Sequence, residues 1–218
     1  MALRAKAHDA DVLRRFYMKT GEAKFKPPKG KRAAEFAAGI PNLPDPITFT
    51  DEQRRRVGRA AAWGIMPAET AMRVAIWAGM PFYLLCAYLK QETGDGTMKI
   101  GSDRTWMRGV ILDNVGITLV DEQLFLIYRC QRADLGMQGM GSMQLTHFTI
   151  QDRADQLGGC WDIVANIATG AEWIAILLDQ GLTLDEVAKR YNGGDAYVLH
   201  NQEIRADAKA AINKGVTT

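Results

Sequence analysis

Glu92 ends a helical apolar run and is followed at once by Thr93-Gly94-Asp95-Gly96. A carboxylate in that position loses solvation, its charged form is disfavoured, and its pKa rises. An acid that keeps its proton near neutral pH can deliver it to a leaving oxygen, which is the general-acid step of glycosidic bond cleavage. The two glycines remove side-chain bulk on the approach side, where a polymer could come close. The bland alternative for the same residues is a solvated helix end with a glycine turn. Hydrolysis would also need a second carboxylate or a held water, an inverting pair standing about 6.5–9.5 Å apart. Asp95, Asp103, Asp113 and Asp134 are candidates, and the sequence leaves the choice among them open.

Other chemistries find little support. His8, His147 and His200 have no metal-like spacing with cysteine or carboxylate, so neither a metal nor another cofactor is expected. No G-x-S-x-G elbow is present, and "GMQGMGSMQ" lacks the lysine and preceding strand of a phosphate loop. Cys86, Cys130 and Cys160 are odd in number and far apart, which reads as reduced thiols rather than a disulfide framework.

The elements that must position Glu92 are helical. Thr50 or Asp51 caps a segment running to about Trp63, with "TDEQ" as its acidic first turn. Pro67 starts a second segment that Gly79 stops, and Pro81 starts "PFYLLCAYLKQE". Apolar residues surround this third segment, so it should be central and buried. "DEQLFLIYRCQR" is amphipathic, and "WDIVANIATGAEWIAILLDQG" has apolar residues at spacings of three and four. "TLDEVAKRYNGG" opens with a capping box from Thr183 to Glu186, and a last helix runs from about Ala196 to Lys214. Strand signals are confined to "MKIGSD" and "WMRGVILDNVGITLV". The expected class is mainly α, with at most a small β-hairpin.

The 218 residues, 47% of them hydrophobic, suit one compact domain with an appendage. The division expected is a basic, Pro-rich arm over residues 1–50 and a helical catalytic domain over 51–218. Residues 1–32 hold ten Lys/Arg against Asp9, Asp11 and Glu22, although the whole chain carries only +2. Such an arm suits a polyanion such as an anionic cell wall; the alternative is a solvated flank. Aromatic interleaving for base stacking is missing, so nucleic acid is not the expected partner. No run of about 18 apolar residues exists, so no membrane span is expected. The first residues lack a continuous apolar stretch, which argues against a secretory signal peptide.

Three further motifs follow Glu92: "GMGSMQLT" (139–146), "NIATGAEWIAILL" (166–178) and "AKRYNGGD" (188–195). In this order, after a helix ending in Gln91-Glu92-Thr93, they resemble the soluble lytic transglycosylase family and the related goose-type lysozymes. The matching positions are Gly141-Ser142-Met143-Gln144, Asn166-Ile167 with Gly170, and Tyr191-Asn192-Gly193-Gly194. The likeness covers about residues 67–200. Thr93 stands where the family usually has Ser, Ser142 where it has Leu, and Thr146-His147 where many members have Met-Pro. The span from Glu92 to Gly141 is longer than is usual in the family.

The resemblance implies a lysozyme-like helical fold and cleavage of the β-1,4 bond between N-acetylmuramic acid and N-acetylglucosamine, with Glu92 as acid and then base. It also implies that Gln144 and the backbone around Met143 bind sugar N-acetyl groups, with Ser142 beside them. Tyr191 would touch and orient Glu92, and Asn192 would fix the turn or bond to sugar. The plainer readings are Met143 as core and the Tyr-Asn-Gly-Gly as a helix cap. The expected partner is the glycan strand of peptidoglycan, bound by a monomer. A wall-cutting enzyme made without a signal peptide fits a bacteriophage endolysin, let out through a pore at lysis, or a virion-associated enzyme. The rival functions are a non-catalytic wall-binding or phage structural module and a chitinase-like hydrolase.

Overall fold

The computed structural model describes residues 43–97, 139–146, 148–160 and 162–214. Among them the chain is mainly α: seven helices and no strand. The expected hairpin and the amphipathic stretch 121–132 lie outside the described residues, as do residues 1–42.

Helix α1 spans Asp51–Ala62, and Thr50 and Gln53 form its capping box. Helix α2, Ala68–Ala78, ends on Gly79 at φ 62°, a left-handed turn that glycine adopts without a Cβ clash. Helix α3, Phe82–Thr93, follows Pro81, and Leu84 to Leu89 are all buried, as expected of a central helix. Helix α4 covers Phe148–Leu157 and has no counterpart among the helices expected from sequence. Helix α5, Ile163–Asp179, is buried along most of its length, and Asp162 caps it through the Ala165 N–H. Helix α6, Leu184–Asn192, opens on the expected Thr183–Glu186 box. Helix α7 runs over Asp195–Ile212.

The packing forms a closed cycle: α3 lies on α7, α7 on α6, α6 on α5, α5 on α2, and α2 on α3 again. Helix α1 covers α2 and α7, while α4 covers α5. The interior holds Tyr88, Leu85, Leu89, Met143, Ile167, Ile174 and Ile212, each less than 2% exposed. Arg153 of α4 meets Glu172 of α5 at 3.0 Å, both nearly buried. Burial raises the Glu172 carboxyl pKa and the guanidinium opposes that rise. Such a pair fixes the position of α4 more than it adds net stability.

Residues 43–50 belong to this body. Phe49 is buried in the core, and Arg73 of α2 donates to the Pro44 carbonyl at 2.7 Å. Cys86 and Cys160 are buried and in no disulfide; Cys130 lies outside the described residues.

Candidate active site

Glu92 lies in the last turn of α3. The chain then reverses through Gly94 at φ 83° and Gly96 at φ 81°. A Cβ at Gly96 would also stand only 3.0 Å from Pro67 Cδ, a tight approach. Thr93 secures the turn, donating to the Leu89 carbonyl at 3.1 Å and accepting the Gly96 N–H at 2.9 Å. The glycine-rich loop is therefore a tight turn required by backbone geometry, whatever else it admits.

Burial at the helix end raises the Glu92 carboxyl from its ordinary value to about 7, a rise opposed by a hydrogen bond from Tyr197. That bond, from the Tyr197 hydroxyl to Glu92 Oε1, measures 2.5 Å. Gln91 fixes the same corner: its Nε2 donates to the Tyr197 carbonyl at 3.0 Å, and its Oε1 accepts from Asn201. The end of α3 is thus tied to the first turns of α7, which sets both the carboxyl and the hydroxyl beside it.

The three other motifs meet around one short loop. Met140 and Leu145 pair through two backbone hydrogen bonds of 3.2 and 2.9 Å and enclose Gly141-Ser142-Met143-Gln144. Asn166 of α5 reaches into the loop from below. Its Oδ1 accepts the Met143 N–H at 2.9 Å, and its Nδ2 donates to the carbonyls of Met140 and Cys160 at 3.0 and 3.1 Å. Gly141, at φ 78°, lies so close that a Cβ would overlap the Asn166 amide. One turn along α5, Gly170 makes room for the Met143 side chain; a Cβ there would stand 2.7–2.8 Å from three of its atoms.

Helix α6 completes the arrangement. The Tyr191 hydroxyl donates to the Met143 carbonyl at 2.6 Å. The Tyr191 ring stands 5.1 Å from Tyr88 of α3 and stacks at 6.5 Å on Tyr197. A chain of contacts therefore runs from the 140–145 loop through Tyr191 and Tyr197 to Glu92. Gly193 at φ 91° caps the helix by donating to the Lys189 carbonyl at 2.7 Å, so the Tyr-Asn-Gly-Gly run is also the helix stop.

Several expected roles change. Ser142 and Met143 are fully buried and cannot face a sugar. Both backbone polar groups of Met143 already have protein partners, so this segment supports the site rather than lining it. Tyr191 sends its hydroxyl to Met143 rather than to Glu92; the hydroxyl on Glu92 is that of Tyr197, which the motif reading missed. Its only trace in the sequence is a second tyrosine six residues past Tyr191, across the Gly193-Gly194 turn.

Gln144, Tyr191 and Asn192 do line an open cleft of about 540 Å³, together with Thr146, Trp173 and Arg190. That volume is in the range of ligand pockets. Gln144 adopts φ 46°, rare for a side-chain-bearing residue, and its Nε2 donates to the Gly141 carbonyl at 2.8 Å. Of the second-carboxylate candidates only Asp95 is described. Its Oδ1 accepts from the Thr97 N–H and hydroxyl at 3.0 and 2.6 Å. Asp103, Asp113 and Asp134 lie outside the described residues. Among the described residues no cluster of three metal-ligating side chains occurs, and no helix is long and apolar enough to cross a membrane.

The geometry offers one half-buried, proton-holding carboxyl with a hydroxyl donor, linked through Tyr197 and Tyr191 to an aromatic and polar cleft. Comparisons with protein-family models, with curated proteins and with solved structures return no match.

Proposed function

We propose that the chain is a peptidoglycan-cleaving glycosidase that cuts the β-1,4 bond between N-acetylmuramic acid and N-acetylglucosamine, with Glu92 as general acid and then base. The observation that supports this reading most is the Glu92 carboxyl itself, raised to about 7 by burial and held by Tyr197. In the first step Glu92 gives its proton to the glycosidic oxygen as the C1–O bond breaks. In the second the carboxylate takes the proton of the muramoyl C6 hydroxyl, whose oxygen closes on C1 to give a 1,6-anhydro ring. This route uses one carboxylate. We favour it over hydrolysis because the acid nearest in sequence, Asp95, turns its carboxylate to Thr97.

The biological setting in this proposal is lysis of a bacterial wall by a phage. Cells making the protein should lyse when their inner membrane is permeabilised, and cells making Glu92→Gln should not.

The deciding experiment is digestion of purified sacculi. Wild-type protein should release muropeptides lighter by one water than hydrolytic products. Glu92→Gln should lose at least ~10²-fold in rate, the usual minimum for removing a general acid. Products of full hydrolytic mass would turn the reading to a lysozyme. Activity on chitin without activity on sacculi would turn it to a chitinase, and undiminished activity of Glu92→Gln would remove Glu92 from the chemistry.

A further inference from the structure

The cleft that begins at Tyr191 carries one charge that the bond-breaking chemistry does not use. Among its described lining residues, Gln144, Leu145, Thr146, Ile150, Trp173, Tyr191 and Asn192 are all neutral; only Arg190 is charged. Arg190 is the third residue from the end of α6, directly before Tyr191, and it is exposed. The neighbouring basic residue is already paired: Lys189 Nζ lies 2.8 Å from Asp195 Oδ1 at the start of α7. No acid among the described residues pairs with Arg190. A guanidinium left open to a cleft presents a planar fork of N–H donors, which matches a carboxylate in two-bond geometry.

The same cleft is also lined by the half-buried indole of Trp173, from α5. An aromatic face suits the apolar face of a sugar ring, and neutral amide groups such as those of Gln144 and Asn192 suit hydroxyl and N-acetyl groups. Those groups would serve any amino-sugar polymer. Arg190 would not, because a neutral polymer offers no anion to it.

We propose that Arg190 recognises a carboxylate of the substrate and thereby makes this cleft selective for an anionic glycan over a neutral one. The inference rests on the glycan-cleaving reading above and deepens it. In peptidoglycan the carboxylate has two sources: the stem peptides, or the lactyl group of N-acetylmuramic acid once the peptide has been removed.

The test uses the full chain carrying Glu92→Gln, so that substrate binds without turnover. Binding is measured by calorimetry to four probes: glycan strands with stem peptides, strands stripped of peptide, stripped strands with their carboxylates amidated, and chito-oligosaccharides. Adding Arg190→Gln should cost about tenfold or more on the carboxylate-bearing probes, as expected for losing a charge-assisted pair. It should leave the amidated strands and chito-oligosaccharides unchanged. Loss confined to the first probe identifies the stem carboxylate, and loss on the second identifies the lactyl group. Arg190→Glu should weaken binding to the same probes further. Matched thermal denaturation of the variants excludes a folding defect. Equal loss on charged and amidated strands, or no loss on either, overturns the proposal.

Cleavage of sacculi by the wild-type protein is scored in parallel. If sacculi are cut and Arg190 fails this test, only the anion subsite falls. If no glycan is bound or cut, the glycosidase reading falls as well.

Discussion

The Tyr197 hydroxyl donates to Glu92 Oε1 at 2.5 Å, from the first turns of one helix to the last turn of another. The bond favours the carboxylate and so works against burial, which favours the acid. The two influences together leave the carboxyl titrating near 7. A general acid must carry its proton, so the proposed wall cleavage should fall as pH rises through about 7. In Tyr197→Phe the carboxylate loses its donor and the acid form persists to higher pH. The alkaline limb of the rate profile should therefore move upward, even as the maximal rate drops through poorer orientation. A profile that stays in place, or moves to lower pH, would exclude this coupling.

Glu92 should also make stability depend on pH. Its folded-state pKa, about 7, lies above the ordinary value of 4.5. Between those values the folded chain keeps a proton that the unfolded chain has released, so stability declines as pH rises across the window. The cost is absent well below 4.5, complete well above 7, and on the order of 3 kcal/mol. Glutamine cannot ionise. Glu92→Gln should therefore match the wild type at pH 4 and exceed it at pH 8 in urea denaturation. Equal stability at both pH values would mean that the carboxyl is better solvated than its position indicates.

Gly170→Ala should be destabilising although alanine favours helices. The new methyl would meet Met143 Cε, Cβ and Cγ at 2.7–2.8 Å. Overpacking of this kind costs ~1–3 kcal/mol. Because the three closest atoms all belong to Met143, adding Met143→Ala should recover part of the loss. A double-mutant cycle by thermal denaturation measures that coupling. Strict additivity of the two losses would show that the loop has moved away from α5.

Asn166→Ala removes three buried hydrogen bonds at once. The Met143 N–H would lose its partner, and the Met140 and Cys160 carbonyls would lose one donor, Met140 keeping the Leu145 N–H. A buried N–H left unpaired costs ~1–3 kcal/mol, and the two weakened carbonyls add to it, so a loss of at least that size is expected. With its support gone, the 140–145 loop should exchange its amide hydrogens faster than the core of α3 does. Unchanged protection at Met143 would show that the loop is held by other contacts.

Much of the helical framework was legible in the sequence, because its signals are local. Thr50 and Thr183 cap where Ser/Thr followed by Gln or Glu three residues later should cap, and Gly79 and Gly193 stop helices through positive φ. The all-round apolar run after Pro81 marked α3 as buried, and it is. Helix α4 was missed. Its 10 residues are mostly polar, and contacts with α5, including the Arg153–Glu172 pair, hold it.

The site divides in the same way. Glu92 could be singled out because a carboxylate closing an apolar helix before two glycines is a local pattern with a chemical consequence. Glycine at 141 and 170 and asparagine at 166 were visible as a motif, but their physical reason is spatial. Only the packing of the 140–145 loop on α5 puts a Cβ at either glycine into Asn166 or Met143. The same packing buries Ser142 and Met143, turning expected lining residues into supports. Which tyrosine reaches Glu92 depended on the angle between α6 and α7 across the Gly193-Gly194 turn. Residue spacing does not encode that angle; the closure of α3, α7, α6, α5 and α2 into one cycle does.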